Sequence, residues 1–504
     1  MKTIVTGKEM KQMDENTNKI LGVPSMVLME RAGEAVADEV SSRFDLSKKI
    51  GCICGKGNNG GDAIAAGRIL FERGYDVLLF FPREIHVASD QSRQQFEIAT
   101  HYQIHCTTDM NELSDCDILL DGLFGIGLNR ALSEEDILLI QSMNQLQKYV
   151  IAIDIPSGIC VDNGASMGEV VSAELTVSFA FLKVGHLLYP GKSYSKDVIV
   201  RDIGITNHSL GDKTIHSMQL QKEDVAALMP ARQDHSHKGN YGKVLVIAGS
   251  KGMAGAAYFS AKSAYLMGAG LVQIVSCEEN RYILQTLLPE AIFFGYESHL
   301  DENEILEKIK WADVILIGPG LSVQPLSKQL LELCLSASEV PLICDADAIN
   351  MLADDILLLK RAHTEIILTP HMGEMSKLLK MSIARILENE KEICEEFSRN
   401  YQVDCVLKDA TTLITIPYKT TYFNTNGHNG MASAGSGDIL AGMIAGLIAI
   451  GMSCDDAAAV GPFLHGASGS YAVNVTGANS CMASDIMSQI PSVLCDIMKD
   501  STSC

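Results

Sequence analysis

Asp438 is the only acid in a run of small residues, N-G-H-N-G-M-A-S-A-G-S-G-D-I-L-A-G, from Asn426 to Gly442. The uncharged residues that follow it, Ile439 to Met452, predict a buried helix. That helix would aim the backbone N–H groups of Gly435, Ser436 and Gly437 at whatever lies at its N-terminus. The first amides of a helix lack intrahelical partners and the macrodipole is positive there, so such an end takes an anion. A carboxylate at the same spot repels phosphate, and its natural use is to take a proton from a hydroxyl. Alone, G-S-G-D reads equally as an ordinary glycine loop with an N-terminal Asp.

A second group lies far upstream. Gly55, Gly57 and Gly60 satisfy G-x-G-x-x-G, with Asp76 about twenty residues on, the spacing of a dinucleotide fingerprint. Asn58, Asn59 and Asp62 give this loop more side-chain polarity than a pyrophosphate turn requires. With Asp121 and Ser157 they form a set of hard oxygen donors, suited to a monovalent cation or to sugar hydroxyls. Asp154 stands beside Pro156, where a carboxylate can reach a ligand.

The elements that must position these groups alternate. Met10 to Val40 has helical periodicity, interrupted at Pro24. K-I-G-C-I-C reads as a strand, followed by a helix from near Asp62 to Gly74. Val77–Phe81, Asp117–Leu120 and Tyr149–Ile153 read as further strands, the last two ending in D-G-L-F-G-I-G and D-I-P-S-G. This pattern describes a doubly wound α/β sheet, with its ligand beyond the carboxyl ends of the strands. Gly211 to Gln233 is a polar linker, and a boundary near Ser217 gives domains 1–216 and 217–504. In the second half Lys243–Ala248, Leu271–Ser276, Asp313–Ile317, Leu342–Cys344, Ile366–Leu368, Cys405–Leu407 and Leu413–Thr415 are strands. They predict another α/β sheet with helices on both faces. No G-x-x-x-x-G-K-[ST] occurs, so this is not a P-loop NTPase.

Sixty-two acids against 40 bases leave a net charge of −22, which argues against nonspecific binding to nucleic acid or to an anionic membrane. The 14 cysteines include no C-x-x-C and the 13 histidines no ligand spacing, so we expect reduced thiols, no structural zinc and a cytoplasmic protein. M-K-T-I-V-T-G-K-E-M-K lacks the apolar stretch of a signal peptide, and Ile439–Cys454 falls short of the about 18–20 residues that span a bilayer. The G-M-I-A-G within it (Gly442, Gly446) predicts close packing of a buried helix on a sheet.

K-G-N-N-G-G-D, D-G-L-F-G-I-G and D-I-P-S-G, with L-M-E-R-A-G before and F-L-K-V-G-H after, resemble the epimerase domain of the bifunctional NAD(P)H-hydrate repair enzymes. The resemblance covers about Lys8 to Ile205. It implies a Rossmann-like domain in which Asn58, Asn59, Gly60, Gly61 and Asp62, with Gly125, Ile126, Gly127, Leu128, Asn129, Arg130 and Ala131, hold the hydrated dinucleotide. It further implies potassium at Asn59, Asp121 and Ser157, and Asp154 at the reacting ring. Ala63 stands where the family more often has glycine, which tightens packing.

G-S-x-G-x-x-G, G-P-G-L, D-A-D-A, T-P-H-x-G-E, K-D and G-S-G-D resemble the ribokinase-like dehydratase domain of the same enzymes, from about Gln221 to Leu494. This implies ADP contacts at Lys408, Asp409, Ala410, Thr411 and Thr412. A second ADP stretch runs through His428, Asn429, Gly430, Met431, Ala432, Ser433, Ala434, Gly435, Ser436 and Gly437. Substrate contacts carry over to Gly255, Gly320, His371, Met372, Gly373, Glu374, Met375, Ser376, Lys377 and Asp438. A-G-S-G-D replaces the commoner G-G-T-G-D and keeps both the hydroxyl and the small loop. The resemblance implies magnesium in this domain, small-molecule substrates only and a homo-oligomer. The activity it implies is epimerisation of the R and S hydrates followed by ADP-dependent dehydration of the S hydrate, with Asp438 accepting the hydroxyl proton. A ribokinase-like vitamin-precursor kinase carrying a non-catalytic N-terminal binding module is the alternative.

Overall fold

The computed structural model describes residues 1–82, 89–211 and 214–501. Asp212 and Lys213 of the expected linker, together with residues 83–88 and 502–504, lie outside the described residues. The chain divides into two compact units, Lys2–Ile215 and His216–Cys504.

The strands of the N-terminal unit are β1 (Lys2–Val5), β2 (Lys49–Cys54), β3 (Asp76–Phe80), β4 (His105–Thr107), β5 (Ile118–Gly122), β6 (Tyr149–Ile153), β7 (Leu175–Phe179), β8 (Leu182–Lys183) and β9 (Asp197–Arg201). Its main sheet is wholly parallel, ordered β4-β3-β2-β5-β6-β7-β9. The order reverses between β2 and β5, so the loops after those strands diverge and leave a crevice at the strands' carboxyl ends. Continuous apolar runs such as Ile118–Leu120 and Val150–Ile153 are buried because helices cover both faces of a parallel sheet.

The C-terminal unit contains β10 (Ser217–Gln219), β11 (Lys243–Ile247), β12 (Leu271–Cys277), β13 (Ile292–Tyr296), β14 (Val314–Ile317), β15 (Leu342–Cys344), β16 (Ile366–Leu368), β17 (Asp404–Leu407), β18 (Thr412–Thr415) and β19 (Thr421–Asn424). They are ordered β13-β12-β11-β14-β15-β16-β17-β18-β19-β10. The sheet is parallel except that β18 runs antiparallel to both of its neighbours. The reversal lies between β11 and β14, and the glycine loops after these strands are tied together. Gly249 N–H donates to Pro319 O at 2.9 Å and Ser250 N–H to Gly320 O at 2.6 Å.

Two expectations about helices change. The helix expected from near Asp62 begins at Asn58 and runs to Glu72, so the asparagines lie in its first turn. The helix after the G-S-G-D loop spans Ser436–Ala449, and its glycines meet another helix instead of the sheet. A Cβ at Gly442 would stand 2.2 Å from Ser260 O, and one at Gly446 2.7 Å from Ala264 O. Both oxygens belong to the helix Ala254–Leu266, so the small residues of each helix let two backbones approach. No helix among the described residues is long and apolar enough to cross a membrane.

Candidate active sites

In the N-terminal unit a cavity of about 1060 Å³ opens at the β2/β5 crevice. Its wall includes Asn58, Asn59, Asp62, Gly125 to Ala131 and Asp154, which brings most of the residues expected to hold the substrate to one place. Glycines make the crevice possible: a Cβ on Gly60 would lie 2.0 Å from Gly55 O, and one on Gly55 2.0 Å from Leu123 O. Tight backbone approaches therefore account for Gly55 and Gly60, whereas a Cβ on Gly57 would meet nothing within 4 Å. Gly60 and Gly61 are themselves buried behind the wall, and Ala63 packs where a Cβ on Gly122 would stand 2.5 Å away.

Asn59 and Ser157 meet at the Phe124 carbonyl, and Asp121 joins them through Ser157. Asn59 Nδ2 donates to Phe124 O at 2.9 Å and Ser157 Oγ to the same oxygen at 3.2 Å. Asp121 is fully buried and accepts from Ser157 N–H at 2.8 Å, Ser157 Oγ at 2.6 Å and Leu123 N–H at 3.2 Å. Burial nonetheless pushes the Asp121 carboxyl up to about 6, against the pull of these donors. A buried carboxylate beside a hydroxyl and a carbonyl oxygen, with no cationic side chain bonded to it among the described residues, suits one monovalent cation.

Asp154 follows β6 with φ +66°, a left-handed conformation costly for a residue with a side chain. Three contacts hold it. Its Oδ1 accepts from Phe179 N–H at 2.9 Å and from the fully buried Lys183 ammonium. Lys183 N–H donates to His186 Nδ1 at 3.2 Å, so the neutral ring carries its proton on Nε2 and donates it to Asp154 O at 2.9 Å. Burial, reinforced by Lys183, lowers His186 to about 3 and fixes that neutral form. Lys183 is itself lowered by burial, against its attraction to Asp154. Sequence reasoning assigned no role to Lys183 or His186, although both sit in the F-L-K-V-G-H stretch.

In the C-terminal unit, Gly435 adopts φ +93° and caps the helix Ser436–Ala449, placing Asp438 in its first turn. Lys408, just past β17, donates to Pro370 O through its N–H at 2.8 Å, and its ammonium to Asp345 Oδ1 at 2.7 Å. Thr369 Oγ donates to the same oxygen at 2.6 Å. The ammonium lies so close to the glycine loop that a Cβ on Gly437 would stand 3.1 Å from Nζ. Burial opposes the Lys408 charge, but Asp345, Glu374 and Asp438 outweigh it and raise the group. Asp438 is pushed up to about 6 by burial, helped by Asp345 and opposed by Lys408. Glu374 is pushed to about 7, again by burial.

Two histidines here are caps. His371 Nδ1 accepts from Gly373 N–H at 2.9 Å, while Glu374 Oε2 accepts His371 N–H at 2.8 Å. His428 Nδ1 accepts from Gly430 N–H at 3.1 Å. Lys377 is tied to Asn350 Oδ1 at 2.7 Å. Ser436 Oγ lies 3.2 Å from Nε2 of His465, a histidine that no motif marked. Asp345 was within the quoted D-A-D-A, but only its contact with Lys408 shows what it does.

A doubly wound unit and a second α/β unit with an acid, a lysine and a glycine loop at one helix N-terminus define a two-part enzyme of small-molecule chemistry. The C-terminal half is similar to a ribokinase-like superfamily protein from Enterococcus faecalis V583, at TM-score 0.50 and 26% identity over 56% of this chain and 98% of that one. Residues 244–492 match the NAD(P)H-hydrate dehydratase family, and residues 25–185 match the YjeF-related protein N-terminus. A bifunctional NAD(P)H-hydrate repair enzyme of Moorella thermoacetica is 35% identical over 97% of this chain and 96% of its own length. One of Coxiella burnetii is 33% identical over 92% and 94%, and one of Escherichia coli 30% over 98% and 94%. The chain belongs to the bifunctional NAD(P)H-hydrate repair enzymes.

Proposed function

We propose that the N-terminal unit interconverts the R and S hydrates of NADH and NADPH, and that the C-terminal unit dehydrates the S hydrate at the expense of ADP, giving AMP and phosphate. The observation that carries this is the placement of Asp438 and Lys408 against the Gly435–Gly437 amides. Hydroxide leaves a ring carbon poorly, whereas phosphate leaves readily, so phosphorylating the hydroxyl makes the ring double bond recoverable. Asp438 takes the hydroxyl proton, the loop amides and Lys408 neutralise the transferring phosphoryl group, and Asp345 holds Lys408 in place. Phosphoryl transfer is mostly positioning and electrostatics, and one well-placed donor contributes about 3 kcal/mol.

The nucleotide fits Lys408 to Thr412 and His428 to Gly437, and the hydrate fits Gly255, Gly320, His371 to Lys377 and Asp438. Magnesium needs few protein carboxylates when nucleotide phosphates supply the other oxygens. In the N-terminal unit Asn58 to Asp62 and Gly125 to Ala131 take the dinucleotide, and Asp154 faces the ring. Asn59, Asp121, Ser157 and the Phe124 carbonyl would hold potassium, which supplies a fixed positive charge beside the anionic substrate.

The test presents the purified S hydrate with ADP, ATP and other nucleotides in turn. Return of the reduced-nicotinamide absorbance with ADP, matched by AMP, supports the reading. ADP consumption only when another alcohol is supplied would favour a vitamin-precursor kinase.

A further inference from the structure

Asp62 and Asp154 line one cavity and are held in opposite ways. Asp154 Oδ1 accepts from two donors, Phe179 N–H and the Lys183 ammonium. Asp62, in the first turns of the helix Asn58–Glu72, has no hydrogen-bond partner for its carboxyl among the described residues and opens onto the same space. We propose that Asp62 is the catalytic acid of the epimerisation, working as a pair with Asp154 as the base. The proposal deepens the epimerase reading of this unit and rests on it.

Its protonation follows from its surroundings. Burial pushes the Asp62 carboxyl well above the usual carboxylate range, the negative charge of Asp154 adds to this, and Asp14 adds further. Asp14 comes from the helix Gly7–Lys19, which also presents Lys11 and Glu15 to the cavity. Lys56, Arg130, Glu135 and Asp136 complete the charged wall, and Lys183 stands behind Asp154. Two carboxyls whose environments set them apart divide into an acid and a base.

The hydroxyl of the hydrate sits on the carbon beside the ring nitrogen, whose lone pair can expel it. The C–O bond breaks with its electrons on oxygen, which takes the Asp62 proton and leaves as water. The nitrogen lone pair becomes a C=N double bond and the ring a cation. Water then adds to the opposite face, its oxygen forming the new C–O bond while its proton passes to Asp154. One inversion thus moves one proton from Asp62 to Asp154, and exchange with solvent resets the pair. The reverse inversion exchanges their roles.

The test uses the full chain carrying Asp438→Asn, so that dehydration does not drain the mixture. Epimer exchange from one purified hydrate is followed by chromatography, with the spontaneous rate subtracted. Adding Asp62→Asn should lower kcat about 100-fold or more, well beyond any change in KM from its place in the dinucleotide loop. It should also abolish the fall in rate at high pH that the parent shows as Asp62 ionises. If the parent itself shows no exchange above the spontaneous rate, the epimerase reading fails and the proposal falls with it. If the parent exchanges and Asp62→Asn raises KM alone, or keeps the parent's rate and basic limb, Asp62 is a binding residue and only this proposal is overturned.

Discussion

The Lys408 ammonium donates to Asp345 Oδ1 at 2.7 Å, and Asp345 is almost wholly buried. The contact joins the end of β15 to the end of β17 and holds a positive charge against the Gly437 backbone. Lys408→Met leaves the Asp345 carboxylate buried without its cation. Breaking such a pair from one side costs about 3–5 kcal/mol. Thermal denaturation should show that loss in the C-terminal unit, and dehydration should fall with it. An unchanged melting temperature would mean that the pair does not hold the site together.

Asp438 must be ionised to accept a proton, and its carboxyl is pushed up to about 6. Below that pH the base is protonated, so the dehydration rate should rise through pH 6 and level off above it. Asp438→Asn should lower kcat by about 100- to 10,000-fold and remove that rise. Rate measurements from pH 5 to 8 with saturating ADP check both.

Two glycines of the same helix should behave differently on substitution by alanine. A Cβ at Gly437 would meet only the far end of Lys408, at 3.1 Å, so Gly437→Ala should raise the nucleotide KM with little loss of stability. A Cβ at Gly442 would meet the Ser260 carbonyl at 2.2 Å, and neither backbone can yield locally. Gly442→Ala should destabilise by about 1–3 kcal/mol, read by chemical denaturation.

Glu374, Glu390 and Asp404 are each pushed to about 7 by burial. A carboxyl with a raised folded pKa binds its proton more tightly in the native state than in the unfolded chain. Its favourable contribution is full below about pH 4 and is lost as pH rises through about 7. The ligand-free C-terminal unit should therefore melt at a lower temperature at pH 8 than at pH 5. Asp404→Asn should flatten part of that slope.

The sequence showed the parts of the fold that repeat a local signal. Apolar strands ending in glycine and acid loops, such as Tyr149–Ile153 and Ile366–Leu368, are legible because burial on both faces leaves a continuous run. β4, β9 and β13 were not placed: β4 has only three residues, and the apolar runs of β9 and β13, Val198–Val200 and Ile292–Phe294, lie in strands that are partly exposed. Of the site, the glycine loops and Asp438 stood out because chain conformation and charge mark them locally. Lys183, His186, Asp345 and His465 were silent, since each acts through a partner at least 29 residues away in sequence. The helix partner of Gly442 and Gly446 was silent for the same reason.

The most direct measurement gives the full chain an equal mixture of R and S hydrates with ADP and potassium, and follows reduced-nicotinamide absorbance and AMP together. Both epimers should be recovered at a rate above spontaneous exchange, with one AMP per reduced nucleotide. Asp154→Asn should stop near half recovery, since the S hydrate alone is then used at speed. Full and equally fast recovery by that variant would contradict the division of labour between Asp154 and Asp438, and no recovery by the wild type would contradict the repair reading.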